Sequence, residues 1–561
     1  MNGQILQFTK DTDRYIKKAE ECIANEDFTG ALGFLYSALS VEKTPLILSK
    51  IADTYCDIGI FELSNKFWFH YMDIAPKDQV SVAYEELAIN YFYMDDYLSS
   101  SYYFHKKLTE DGYISKEGLD QEIIDFFSGE ELKRGSYHIA YPFNEADYSY
   151  KAKVGKRSLA MGDFAKAVET FNSIPKECWT EEIAGDLAVA YLMDDLLDQS
   201  LTVSRHSLAV HGDNVTAYCN MSTVYDMKED FEKSEYYYKR ALECCTGAKN
   251  EEYRIATCAI ERLDHKRVNE CLEKILEERP FDLTMRFFYG LSFLNLGSID
   301  KAKDQILCVY RLNPSDPIFR YYAKFVSALD CDAKVGNRFK YLKVLPEEVE
   351  EEYKKVIDKL SNSTDKSARV LKNERNREIL EWGLKCADKD VARMCVYVLA
   401  TAFNPYAKNT LLDLLLDVEV DSGVKRVIVY ALTIAGYTKR FGVVDHSFYF
   451  TVKPRKLKCE KANDGGLYLS GYALCLSRIS FYNLSEIDKL SSVTDRVYKA
   501  FKGIITQAEV NNEEMAGIIL WACKFKNFTT HGEIARLFDI SSKKFELLKN
   551  IFEENNNDKG N

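Results

Sequence analysis

Proline and glycine are scarce in this chain of 561 residues, at 10 and 27 copies. Both are poor in helix interiors, so their shortage fits a chain made mostly of helices joined by short turns. Long apolar runs are missing too. No stretch of ~18 apolar residues lacks charges, which argues against a membrane-spanning helix. The opening MNGQILQFTKDTDRY has no basic start followed by an apolar core, so it does not read as a secretory signal. Positive charge is outnumbered: Lys+Arg 74 against Asp+Glu 87 leaves −13. That balance argues against general affinity for nucleic acid or anionic membrane, because phosphate binding depends on clustered Lys and Arg.

Cysteine is present without the spacing that its chemistry needs. There are 15 copies, irregularly scattered, and no Cys-x-x-Cys. Cys219, Cys258 and Cys308 lie in apolar helical runs and read as small buried hydrophobes in a reducing cytosol. The vicinal pair Cys244-Cys245 reads as structural. Catalytic signatures are also missing: no Gly-x-Gly-x-x-Gly, Walker-type loop, His-Glu-x-x-His or Gly-x-Ser-x-Gly occurs. VGKRS (154–158) lacks a Gly-rich lead and reads as helix surface. His206 and His211 have no third ligand nearby, so they read as a surface pair rather than a metal site. Asp95-Asp96 and Asp194-Asp195 fall in the same inter-helix turn of two repeats, which explains them without acid–base catalysis. The chain therefore reads as no enzyme, with no metal or cofactor.

What is present is a repeat. A chain this long exceeds one core of roughly 250–300 residues, so it holds several domains or an elongated array. One phrase recurs as EDFTGALGFLYSAL (26–39), GIFELSNKFWFHYM (59–72), DDYLSSSYYFHKKL (95–108), GDFAKAVETFNSIP (162–175), DLLDQSLTVSRHSL (195–208), EDFEKSEYYYKRAL (229–242), HKRVNECLEKIL (265–276) and GSIDKAKDQILCVY (297–310). Its small residue tracks through Ala167, Ser200, Ser234, Val268 and Ala302, at spacings of 33, 34, 34 and 34. An upstream helix ends near a Tyr-like position, as in KIADTYCDIG (50–59) and NMSTVYDMKED (220–230).

The pattern predicts helix hairpins. Ala52, Ala88, Ala188, Ser222, Ala256 and Gly290 would allow close approach of the first helix. Phe28, Phe61, Tyr97, Phe164, Leu197 and Phe231 would fill the space near the turn. Pro76, Pro280 and Pro314 fall where the second helix must stop. Aromatic clusters such as FWF (67–69) and YYYK (236–239) read as core and inter-repeat packing.

This pattern resembles the tetratricopeptide repeat family over about residues 10–330, in eight copies. The family's first-helix Trp is absent from every copy, and the register breaks over 111–150. The resemblance implies an all-α fold: a right-handed solenoid of hairpins whose concave surface is lined by first helices. The expected organisation is repeats 1–3 in 1–112, an elbow or degenerate helix in 113–147, and repeats 4–8 in 148–332.

A charged connector follows in 333–376, with LPEEVEEEYKKVIDKL helical and its acidic run a solvated face. ADKDVARMCVYVLATA (387–402) aligns with VDSGVKRVIVYALTIAG (420–436), each with an Asp placed to cap its helix. These segments resemble HEAT repeats, giving a smaller, mainly α module over 377–440. Residues 441–552 form a mixed module. FGVVDHSFYFTVKPRKLKCEKAN (441–463) reads as a β-hairpin around KPRK. THGEIARLFDISSKKFELLKNIF (530–552) resembles a DNA-binding helix-turn-helix, with Ala535 at the helix contact, Asp539-Ile540 in the turn and Ser541 opening the second helix. Its surroundings lack the basic surface of a DNA reader. The polar tail 553–561 reads as frayed.

Some tetratricopeptide proteins clamp a partner's C-terminal carboxylates with Lys and Asn. The matching positions here include Ser49, Asp53, Glu85, Ile89 and Gly185, and only Lys156 fits. The groove offers Phe92, Tyr93, Leu192, Met193, Met227, Tyr253 and Phe287 instead, suited to an amphipathic helix or extended peptide. The sequence thus points to a cytoplasmic, bacterial, non-catalytic scaffold binding a protein or peptide, without membrane or nucleic acid. The alternative is a signal-responsive transcriptional regulator whose terminal segment touches DNA. Oligomeric state is not readable from the chain.

Overall fold

The computed structural model of the chain describes residues 2–112, 138–140, 145–160, 162–330, 333, 335, 336, 339–362, 370–386, 388–461, 464–479, 489–504, 510–524 and 530–557. Two compact units emerge: Met1–Ser128 together with Leu345–Asn561, and Gly129–Val344. Most of the expected elbow at 113–147 lies outside the described residues, as do the break at 363–369 and the chain's last four residues.

The first unit begins with three helix pairs: α1 (Asn2–Ala24) and α2 (Phe28–Val41), α3 (Pro45–Asp57) and α4 (Phe61–Ile74), α5 (Val80–Tyr93) and α6 (Tyr97–Glu110). The second unit holds a short antiparallel pair, β1 (His138–Ala140) and β2 (Glu145–Asp147). Five more helix pairs follow: α7 (Ser149–Ala160) and α8 (Phe164–Asn172), α9 (Glu181–Met193) and α10 (Leu197–His211), α11 (Val215–Met227) and α12 (Phe231–Cys244), α13 (Lys249–Glu261) and α14 (His265–Glu278), α15 (Leu283–Asn295) and α16 (Ile299–Leu312). A single helix, α17 (Pro317–Ser327), ends this run. Residues after it stay on the second unit. The Asn295 amide donates to the Phe339 carbonyl at 2.9 Å and accepts from its N–H at 3.0 Å, and His265 meets the Tyr341 hydroxyl at 2.8 Å.

Every pair turns on the same backbone device. Glu26, Gly59, Asp95, Gly162, Asp195, Glu229, Leu263 and Gly297 are left-handed, with φ between 56° and 76°. The next residue's N–H reaches back five residues to a carbonyl, as in Ile60 to Tyr55, Asp96 to Tyr91, Asp230 to Tyr225 and Ser298 to Phe293, at 2.8–2.9 Å. This is the Schellman arrangement, which satisfies helix-end carbonyls and reverses the chain in a fixed direction. Asp27, Asp96, Asp163, Asp230 and Asp264 then cap the second helix through their carboxylates.

Five residues beyond each turn stands the small residue. Ala31, Ser64, Ala167, Ser200, Ser234, Val268 and Ala302 are fully buried. The approach is close enough for Ser100 and Ser200 to donate to the carbonyls of Ala88 and Ala188 on the first helix, both at 2.8 Å. At Gly290 an added Cβ would stand 2.6 Å from Ile306, so no larger residue fits there without movement. Aromatic pairs bridge the two helices at one repeated offset. Tyr55 stacks on Phe67 at 5.8 Å, Tyr91 on Tyr103 at 5.7 Å and Tyr225 on Tyr237 at 5.4 Å. The residues expected to fill the turn divide: Phe28, Phe61, Phe164 and Leu197 are half-buried, but Tyr97 and Phe231 are exposed. The left-handed turn already closes the hairpin, so no side chain is needed there.

The remainder of the first unit is α18 (Glu347–Asn362), α19 (Glu374–Lys385), α20 (Lys389–Ala402), α21 (Pro405–Leu415), α22 (Ser422–Ile434), β3 (Phe441–Asp445), β4 (Phe448–Val452), α23 (Gly465–Ile479), α24 (Leu490–Phe501), α25 (Asn512–Cys523), α26 (His531–Leu537) and α27 (Ser542–Asn557). Asp388 and Asp421 cap α20 and α22 as their spacing predicts. The β-hairpin exists, but it turns at His446-Ser447, both left-handed, and not around KPRK. All five β3 residues are buried, so this strand lacks the expected alternation. The tail also differs, because α27 continues to Asn557.

Ala167 and Ala302 have no exposed surface, so replacing either by Trp forces the two helices of its hairpin apart. Ala167→Trp and Ala302→Trp should each cost about 1–3 kcal/mol or more, read as a lower thermal midpoint. Unchanged midpoints in both variants contradict the register.

Candidate functional site

In the first unit, the chain covers one face of its own repeats. The contacts to the C-terminal module come from the second helices, or just beyond them. Lys43, after α2, pairs with Asp413 at 2.9 Å. Lys66 on α4 pairs with Asp417 at 3.1 Å, and Lys385 reaches the same carboxylate at 2.8 Å. Asp73 on α4 accepts the Gly442 N–H of β3 at 2.7 Å. Tyr103 on α6 donates to the Ser447 carbonyl at 2.6 Å, while Tyr102 packs edge-on against Phe448 at 4.7 Å. Burial alone would raise the Asp417 carboxyl, yet Lys66 and Lys385 outweigh it and hold the group well below the usual carboxylate range. An ion this buried is tolerable only with such partners.

His70 sits in the same seam, 3.2 Å from Lys43 and 3.7 Å from Asp413. Burial, and then Lys43, pushes its imidazole down to about 3. It is therefore neutral in the fold at neutral pH.

The first helices of these repeats stay open. Phe92 is 56% exposed and Tyr93 63%. Tyr93 stacks on Phe61 at 5.3 Å, and Phe92 meets Tyr97 edge-on at 5.7 Å, so four rings form one surface cluster. The same helices α3 and α5 carry crowded carboxylates. Burial, and then Asp57, pushes Asp53 up to about 6. Glu86 is raised by burial and by Asp53, Glu85 and Asp57. Such a surface repels a partner's carboxylates.

In the second unit, the expected groove residues separate. Met193 and Met227 are each 51% exposed and share the register position of Tyr93, two residues before the left-handed turn. Leu192 is half-buried against Leu201, Met221, Val224 and Tyr225. Lys156 is already engaged, paired with Glu182 and 3.7 Å from Asp186, whose carboxylate also takes Arg254 at 2.8 Å. It cannot serve as a free clamp cation. Tyr253 is 48% exposed, but Phe287 has no exposed surface. Phe287 must therefore be struck from the groove. Phe319 at 5.3 Å and Tyr322 at 5.0 Å, the latter edge-on, enclose its ring, because α17 packs over it.

His206 and His211 both turn to Trp179, one ring edge-on at 5.6 Å and one nitrogen 3.1 Å from its carbonyl. Among the described residues, no group of three or more His, Cys, Asp or Glu could hold a metal ion. No described helix is long and apolar enough to cross a membrane. The terminal pair α26–α27 turns through left-handed Asp539, with the Ile540 N–H on the Ala535 carbonyl at 2.8 Å. Lys549 lies over the Trp521 ring and pairs with Glu546, so part of that helix's positive charge is committed internally.

Two outcomes check this description. Since the unfolded imidazole titrates near its ordinary 6.5, the unfolded state binds a proton there that the fold refuses. Stability is thus lost as pH falls from 6.5 toward about 3, at no more than about 1.4 kcal/mol per unit from this group. The thermal midpoint of His70→Phe should fall less steeply than that of the native chain between these limits. Separately, Phe287→Ala should cost about 3–5 kcal/mol, while Tyr253→Ala stays within about 0.5 kcal/mol in denaturant titrations. Equal effects contradict their placement.

No family model matches the chain, and neither does any curated protein. Solved structures do. YrrB, a TPR protein with an unusual peptide-binding site, is 22% identical over 35% of this chain and 91% of its own, at a TM-score of 0.23. Yeast Tom70 is 10% identical over 95% of this chain and 100% of its own, at 0.27. The TPR2AB domain of yeast Sti1, in a complex with pHSP90, is 13% identical over 46% and 98%, at 0.18. Likenesses this loose decide nothing by themselves. The turn register, found eight times over, gives α1–α6 of the first unit and α7–α16 of the second the helix-hairpin fold of tetratricopeptide repeats.

Proposed function

We propose that the chain is a non-catalytic scaffold that holds a protein or peptide on the first-helix surface of its repeats. One observation carries this reading. The C-terminal module occupies the second-helix side of repeats 1–3, while Phe92, Tyr93 and Tyr97 stay exposed on the first helix or at the turn, with half-buried Phe61 stacked against Tyr93. Large exposed aromatic clusters on a folded chain mark interaction sites, and aromatic residues dominate binding energy where they become buried. The carboxylates of α3 and α5 add a charge preference. The favoured occupant is a segment with basic and apolar residues, opposite to the acidic C-terminus that a Lys clamp would take. Cysteines scattered without a Cys-x-x-Cys favour a reducing, cytoplasmic setting. The capped pair α20 and α22 agrees with HEAT-like repeats.

The regulator reading has less support. Its helix-turn-helix forms, but Lys549 is engaged and Glu546 sits on the helix that would face phosphates.

Selection from a displayed random peptide library tests the proposal on the intact chain. Peptides enriched in Lys or Arg together with aliphatic or aromatic residues are expected. Phe92→Ala with Tyr93→Ala should weaken their binding by at least about tenfold without moving the thermal midpoint. No enrichment, or enrichment indifferent to the double variant, overturns it. Steeply salt-dependent retention on duplex DNA would favour the regulator instead.

A further inference from the structure

The seam between repeats 2–3 and the β-hairpin is not fully closed. It leaves a cleft of about 370 Å³, within the size range of small-ligand sites. Packed aromatic and apolar side chains lie beneath it. Tyr102, Tyr103, Met72 and Phe450 line it and are each nearly fully buried. Tyr84 and Tyr449 complete the walls. The rings are fixed in place: Tyr103 stacks between Tyr84 and Tyr91, Tyr449 stacks on Phe69, and the Tyr103 hydroxyl is bound to Ser447. A preorganised aromatic wall loses little freedom when a planar group lies against it.

The rim has the opposite character. Lys77, Lys106 and Arg440 stand there with one carboxylate, Glu110. Lys77 and Arg440 form no ion pair among the described residues, and Lys106 lies over the Tyr102 ring at 5.5 Å. The nearby Asp73 carboxylate is committed to the Gly442 N–H and the Tyr449 hydroxyl. A chain with formal charge −13 thus concentrates three cations around one small mouth. Cations at a concave site with low-dielectric walls draw anions in.

We propose that this cleft binds a mononucleotide, with its base against the half-buried Tyr84 and Tyr449 and its phosphate at Lys77 and Arg440. Each part of that ligand answers a group that is present. Every base has a π-face for the rings, and the phosphate takes the cations. The cleft takes Tyr84 from α5 but is lined by neither Phe92 nor Tyr93, so its test is separate from that of the scaffold reading.

Calorimetric titration of the full chain with AMP, UMP, adenosine, uridine and inorganic phosphate tests it. At least one nucleotide should bind saturably, and its nucleoside and phosphate alone should each bind at least about tenfold more weakly. Affinity should fall as salt rises from about 50 to 200 mM. Lys77→Glu with Arg440→Glu should weaken binding at least about tenfold, and so, less strongly, should Lys77→Ala, a change at an exposed residue that the fold tolerates. Lys543→Glu, on the terminal helix, should leave binding unchanged. No binding of either nucleotide at millimolar concentration overturns the proposal. So does binding indifferent to both Lys77 variants, or phosphate binding as tightly as the nucleotide.

Discussion

Each repeat depends on one backbone hydrogen bond, from the residue after a left-handed position to the carbonyl five residues earlier. That bond sets where the second helix begins and the angle at which it returns. The small residue five places on is then forced against the first helix. The gap is narrow enough that Ser100 and Ser200 reach a main-chain carbonyl across it. The stacked pairs at Tyr55, Tyr91 and Tyr225 follow from the same geometry. A non-glycine residue at the left-handed position costs about 1 kcal/mol or more, and five of the eight turns accept it. The carbonyls satisfied in return explain that tolerance.

The docked module turns a generic array into a particular molecule. Lys66, Lys385 and Asp417 form a triad in which one buried carboxylate answers two ammonium groups on different elements. Such a cluster adds little net stability compared with apolar packing, but removing one partner leaves an uncompensated charge. It therefore enforces one docking geometry. That geometry decides which faces of repeats 1–3 remain for partners, and it leaves the tyrosine-walled cleft beside β4.

The repeat was legible in the chain because its signal is local and periodic. The 34-residue march of small residues needs no tertiary knowledge. The left-handed register was also written there, but as Glu26, Gly59, Asp95 and Leu263, four unlike residues whose common property is conformational. The docking of the module was not legible. Lys43 and Asp413 are far apart in sequence and each reads alone as a solvated charge. Phe287 shows the same limit at a single site. It shares its register position with exposed Tyr253, yet α17 closes over it, and no periodic pattern reports what covers the end of an array. The β-hairpin was found from its residue types, while its turn was misplaced because two non-glycine residues, His446 and Ser447, take left-handed angles there.

The discontinuous first unit has a consequence for synthesis. Repeats 1–3 leave the ribosome early, but the strands and helices that cover Phe69, His70 and Tyr103 are encoded beyond residue 400. At about 5–20 residues per second, roughly 20–70 s pass before they arrive. During that interval a strip of aromatic and ionisable surface waits uncovered, with a long loop still to close. Nascent chains of this protein should therefore be clients for chaperones that shield apolar surface, and truncation after residue 344 should leave aggregation-prone material even though eight complete repeats are present.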